Sequence, residues 1–181
     1  MDNLTTATEI RTLCRPISSH YLDANIETYI GESEQIDVKP ILGEQMYIAL
    51  SEAQIGTTLT TDQEMLLDGG VYTIDDRKYV FSGLKKSIAY FVYSRLIKNT
   101  DGQLTRYGFV NKDTQESERP PLKEKLVAAD DAAKTGNTYL NEVMQYIRLK
   151  DLDDSFTCSD TALIRRYSIN AIGDQCAKSF I

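Results

Sequence analysis

The sequence predicts a mainly α-helical bundle that carries a small β-hairpin, a long extended loop and a C-terminal arm. Three observations carry this reading. Apolar residues recur at helical spacing through most of the chain, most densely from Leu84 to Lys98. Residues that open and close helices stand at the ends of those segments. One stretch, residues 71–81, instead alternates apolar and polar side chains as two short strands would.

A first short helix is predicted over Ala7–Cys14, stopped by Pro16, whose ring cannot continue a helix. A second begins near Asp23, a good N-cap, and places Ile26, Tyr29, Ile30 and Ile36 close to one face. A third starts at Pro40, suited to a first helical position, with the charge of Asp37 near that end. Leu42, Met46, Ala49, Leu50 and Ala53 then form an apolar stripe. Gly56 and residues 57–61 read as a loop. Thr61-Asp62-Gln63-Glu64 has the pattern of a capping box and opens a short helix through Leu67, ended by Gly69-Gly70.

The alternating stretch follows. Tyr72 and Ile74 alternate with Thr73 and Asp75, and Tyr79 and Phe81 with Lys78 and Val80, so a hairpin turning near Asp75-Asp76 is expected. Gly83 precedes the most hydrophobic helix, Leu84 to about Lys98. Its buried face is Leu84, Ile88, Phe91, Val92 and Leu96, and the additional Ala89, Tyr93 and Ile97 mark it as central. Asp101-Gly102 breaks the chain, and residues 103–121 read as extended or irregular, a length that usually serves a function. Pro120-Pro121 opens a long helix to Leu149. Leu122, Leu126, Ala129 and Ala133 follow one face of its first half, Leu140, Val143, Met144 and Ile147 one face of its second, and Gly136-Asn137 is a place for a kink or split. Residues 1–150 thus make the helical domain, with its extended loop at 103–119. Residues 151–181 are patterned too weakly for a core of their own and read as an arm, in which Tyr167, Ile169 and Ala171 alternate as in a short strand.

The length of 181 residues suits one domain with arms, and 41% hydrophobic residues suffice for a core. Trp is absent and Tyr, with 11 copies, serves half-buried edges and interfaces. The net charge of −7 is uneven: residues 1–70 hold twelve acids and three bases, residues 71–181 fifteen acids and seventeen bases. An acidic whole argues against a protein that grips nucleic-acid phosphates. The asymmetry suits either an acidic face of one copy meeting a more basic face of another, or two ordinary solvated surfaces. The N-terminal residues lack a signal-peptide pattern and no apolar run reaches the roughly 18–20 residues of a membrane span, so cytosolic synthesis without a membrane anchor is expected. Cys14, Cys158 and Cys176 are expected to be reduced, at least one of them as core packing.

Chemistry finds little support. His20 is the single histidine, so no imidazole pair can hold zinc, and no C-x-x-C pair is present. Asp151-x-Asp153-Asp154 begins like a calcium loop but lacks its mid-loop Gly and bidentate Glu. Walker A, G-x-G-x-x-G and G-x-S-x-G patterns do not occur. Neighbouring acids such as Glu32/Glu34 and Asp130/Asp131 point apart on a helix. No enzyme, no cofactor and no metal are therefore expected, and the protein is expected to act by binding other proteins.

A resemblance adds to this. Tyr29-Ile30, Ile36-Asp37-Val38-Lys39-Pro40-Ile41-Leu42-Gly43, Leu66-Leu67-Asp68-Gly69-Gly70-Val71-Tyr72, Gly83-Leu84-Lys85-Lys86-Ser87-Ile88-Ala89-Tyr90-Phe91 and Thr105-Arg106-Tyr107-Gly108-Phe109-Val110-Asn111-Lys112 follow one another in the order seen in head–tail connector (adaptor) proteins of tailed bacteriophages. In particular, the chain resembles the neck ring proteins of the crAss-like phages of gut Bacteroidales. The resemblance covers roughly residues 20–150. It implies a virion structural protein of the phage neck, assembled in the bacterial host cytoplasm. Such a protein forms a homo-oligomeric ring, typically a dodecamer, that binds the portal protein and the next neck or tail ring and lines the channel through which DNA passes.

The expected interface residues are Tyr107, Gly108, Phe109 and Lys112 in the loop, and Leu163, Ile164, Arg165, Arg166, Tyr167 and Ile169 in the arm. The alternative for the loop is that its aromatics tuck back onto the bundle, and for the arm that it adds an edge strand to the hairpin. The alternative function is a small helical regulatory or enzyme-associated domain acting as a monomer or dimer. A tail-side ring, rather than the portal-proximal one, is a third reading.

Overall fold

The computed structural model describes residues 3–19, 21–56, 59–74, 76–99, 102–105, 108–111 and 122–150. The molecule is mainly helical with a small antiparallel hairpin, as the sequence predicts. Helix α1 (Ala7–Leu13) opens with a capping box in which Thr6 and Glu9 satisfy each other's backbone N–H groups. Helix α2 (Asp23–Ser33) runs without a break into a π turn (Glu34–Val38) and then into the four-residue α3 (Lys39–Leu42).

The π turn has a readable cause. Ile26, Ile30, Glu34, Val38 and Leu42 recur every four residues and are all buried. At 3.6 residues per turn a step of four overshoots one turn by roughly 40°, so such a row drifts around an α-helix. A wider turn cancels the drift and keeps Val38 and Leu42 facing inward. Pro40 reinforces this, because its ring would press on the Ile36 carbonyl in a tight helix and it has no N–H to offer. The Lys39 N–H instead bonds the Glu34 carbonyl, five residues back. Pro40 does stand in the first turn of α3, but that helix ends at Gly43, whose φ of +85° an L side chain would rarely adopt. The third helix expected from Pro40 to Ala53 is therefore divided. Its second part, α4 (Glu44–Ile55), buries Tyr47, Leu50 and Ser51, while Ala49 of the expected stripe is exposed.

Helix α5 (Thr61–Asp68) is capped one residue earlier than expected, by Thr60 with Gln63. The repeated threonines offer the same pattern in both registers. Strands β1 (Gly70–Ile74) and β2 (Arg77–Phe81) pair antiparallel with Tyr72 opposite Tyr79, and the turn includes Asp76 at φ +63°. Gly69 and Gly83 bracket this hairpin and pass so closely that a β-carbon on either would overlap the other's neighbouring backbone. Tyr72 and Phe81 pack on Tyr146, with ring centroids 4.9 and 4.6 Å away, and the Tyr146 hydroxyl donates to Asp62 at 2.9 Å.

Helix α6 (Leu84–Asn99) is central, and all five residues of its predicted buried face are buried. It packs along α7 (Leu122–Leu149), one helix 28 residues long that Gly136-Asn137 does not split. Small residues bring the two together. Ser87 donates to the Gly136 carbonyl and Ser94 to the Ala129 carbonyl, each at 2.8 Å, a seven-residue repeat on both helices. Around this seam Ile88, Val92, Leu140, Val143 and Ile147 are at most 1% exposed, and each contributes roughly 2 kcal/mol by burial. Where the sequence reads as extended or irregular, the structure has a second hairpin, β3 (Gly102–Thr105) with β4 (Gly108–Asn111), in a sheet of its own.

Candidate protein-interaction site

Two features lie at the surface of this helical body: a cavity beside the π turn and an apolar face at the start of α7. The cavity, about 300 Å³, has Ile36, Pro40, Ile41 and Phe91 among its apolar walls, with Ala133 and Asn137 of α7 closing one side. Its charged edge is built around Arg95 of α6, whose guanidinium pairs with Asp37 of the π turn and Glu32 of α2 and donates to the Ser33 hydroxyl. Lys98, one turn further on, faces Asp130 at 3.5 Å. Ile36, expected on the buried face of the second helix, is 59% exposed at this cavity, because the π turn gives the inward positions to Glu34 and Val38.

Glu34 is buried completely. One carboxylate oxygen accepts the Leu4 N–H at 2.8 Å and the other the Tyr47 hydroxyl at 2.9 Å. Burial raises its pKa to about 7 against the opposing effect of these hydrogen bonds, and it pushes the Tyr47 hydroxyl up to about 12. The acid thereby ties the N-terminal segment to α4. Cys14 packs against the core as one cysteine was expected to, and burial pushes its thiol up to about 11, so it is protonated at neutral pH.

The first two turns of α7 extend past the partners that cover the rest of the helix. Leu122 is 72%, Leu126 44% and Val127 62% exposed, whereas Ala129 and Ala132 are fully buried. The apolar face read from Leu122 to Ala133 is real, but its first half is open to solvent. Contiguous exposed apolar groups of this kind mark interaction surfaces.

Of the interface residues expected from sequence, Gly108 and Phe109 lie on β4, where Gly108 pairs with Thr105 and Phe109 with Leu104. Tyr107 and Lys112 lie outside the described residues, as do Leu163, Ile164, Arg165, Arg166, Tyr167 and Ile169, with Cys158, Cys176 and His20. Sequence reasoning missed the cavity, Arg95 and Glu34. Only Glu34 had left a signal, as the one acid in the four-residue row from Ile26 to Leu42. Among the described residues no group of three or more His, Cys, Asp or Glu could hold a metal ion, and no helix is long and apolar enough to cross a membrane.

A family model described as a Family of unknown function (DUF6712) matches residues 38–162, from the end of the π turn to past α7. No curated protein and no solved structure matches the chain.

Proposed function

We propose that this chain, which belongs to the Family of unknown function (DUF6712), is a virion structural protein of a tailed phage. In this reading it forms a homo-oligomeric ring in the neck, joins the portal protein to the next ring on the tail side, and lines the channel for DNA. The observation that carries the reading is the exposed apolar face that Leu122, Leu126 and Val127 form together at the start of α7. It follows directly after the segment singled out as a partner-binding loop. The order of motifs shared with phage adaptors supports the same role, and the acidic charge suits a channel that DNA must traverse without sticking.

The test mixes the full chain with its portal and measures assembly by mass photometry and negative-stain microscopy. Rings are expected for the unmodified chain. Leu126→Glu is expected to keep the melting temperature, because the side chain already meets water, and to lose the rings. An unmodified chain that stays monomeric with and without portal would sink the proposal.

A further inference from the structure

The segment that leads into α1 is held in the interior by a carboxyl group without a counter-ion. Leu4 is fully buried and Thr5 almost so, and both backbone N–H groups bond the Glu34 carboxylate. The Tyr47 hydroxyl of α4 donates to its other oxygen. The charged groups on the elements around Glu34 are engaged elsewhere. Glu32 of α2 and Asp37 of the π turn pair with Arg95 of α6, Lys39 of α3 pairs with Glu44 of α4, and Glu9 of α1 pairs with Lys85 of α6. None of these cations is among the groups that act on Glu34, which are its burial, the Tyr47 hydroxyl and the two N–H groups. A hydroxyl can donate to a carboxylate and accept from a carboxylic acid, so the Tyr47 contact survives either protonation state. What ionisation changes is that a charge is left buried without an opposite one.

We propose that Glu34 is a pH-sensitive latch: the segment Leu4–Thr6 stays docked over the neutral acid, and it lifts locally, without unfolding the rest of the chain, as the acid takes up its charge in water. Lifting is the only nearby route to hydration, because Leu4 and Thr5 cover one side of the carboxyl and Tyr47 the other. The opening stops at α1, which is fastened independently by Glu9 to Lys85 and by Arg11 to Asp23. The sign follows from burial, which holds the docked carboxyl at about 7 against an ordinary value of 4.5. Opening releases a proton, so docking is most favourable below pH 4.5 and weakens until the docked acid itself ionises at about 7.

The experiment follows amide hydrogen exchange of the full chain by NMR between pH 5 and 8.5, without urea and at a sub-denaturing concentration. After correction for the intrinsic pH dependence of exchange, protection of the Leu4 and Thr5 amides is expected to fall about fortyfold from pH 5 to 7 and to level off above 8. At every pH it is expected to be insensitive to urea, as local openings are. The Val92 amide in the middle of α6 is expected to exchange by global unfolding and to lose protection with urea. Glu34→Gln keeps an acceptor and removes the titration, so Leu4 protection should become independent of pH. Should that variant not fold, Tyr47→Phe gives a second readout. It deletes a hydrogen bond that favours the charged form, so the levelling point is expected to move to higher pH. Leu4 and Thr5 amides that exchange only in step with Val92, at every pH and with the same urea dependence, would overturn the latch. A pH profile unchanged in either variant would overturn it as well.

Discussion

The Ser87 hydroxyl of α6 donates to the Gly136 carbonyl of α7 at 2.8 Å, and the same glycine faces the Phe91 ring of α6. A β-carbon on Gly136 would stand 3.1 Å from that ring. Phe91 also borders the cavity, so its ring has space to yield to one methyl group. Gly136→Ala is therefore expected to stay within about 1 kcal/mol of the unmodified chain, the tighter contact offsetting the gain in helix propensity. Gly136→Leu is expected to cost about 3 kcal/mol or more by overpacking, and Ser87→Ala about 1 kcal/mol. Urea denaturation of the three variants checks the order.

Glu34 makes stability depend on pH. Its carboxyl titrates near 7 in the folded chain, above its ordinary value of 4.5. A raised acid contributes most below its unfolded value, and the contribution disappears as pH rises through 7. Between pH 4.5 and 8 the expected loss is about 3 kcal/mol. Glu9, whose pKa is lowered because Lys85 and Thr6 outweigh its desolvation, acts at the acid end, below this window. Thermal melts should show a falling melting temperature from pH 5 to 8.5, with the slope largely removed in Glu34→Gln. A slope unchanged in that variant would place the titrating group elsewhere.

Lys85 ties α1 to α5 through α6, with its ammonium 2.8 Å from Glu9 and 2.9 Å from Asp68. The lysine is largely covered, while Asp68 is mostly in water. Lys85→Met keeps the covered stem and frees acids that can hydrate, so a loss of about 1 kcal/mol is expected. Lys85→Ala also loses the packing of the stem and should cost roughly twice as much. Melts at low and high salt separate the two, because only the ionic part is screened.

Deleting residues 155–181 is expected to leave a cooperative unfolding transition and abolish docking into the ring. Differential scanning calorimetry and mass photometry with portal read the two effects separately. Loss of the cooperative transition would mean that these residues complete the core and do not serve as an arm.

How much was legible follows from the range over which each signal acts. Helix α6 is legible because its buried face repeats at helical spacing over four turns, a signal carried by residues three and four positions apart. The β1–β2 hairpin was read from alternation and a two-acid turn, both local. The end of α3 was missed because two local signals compete: Pro40 suggests a beginning, and Gly43 just after it makes the actual break. The β3–β4 pairing was missed because Leu104 and Phe109 sit among polar residues and no strong turn dipeptide joins the strands.

The sequence by itself determined most of the helical segments, where the first hairpin turns and the buried face of α6, because these depend on residues a few positions apart. The tertiary structure alone decided which of those faces is covered. Leu122 and Leu126 have the same helical spacing as residues deep in the core, yet they are 72% and 44% exposed. Glu34 has the formula of a surface acid, yet Leu4 and Tyr47 enclose it from segments 30 and 13 residues away. Periodicity fixes the direction a side chain takes from its own backbone, but burial is a relation between two surfaces, and only the packed fold brings the second one.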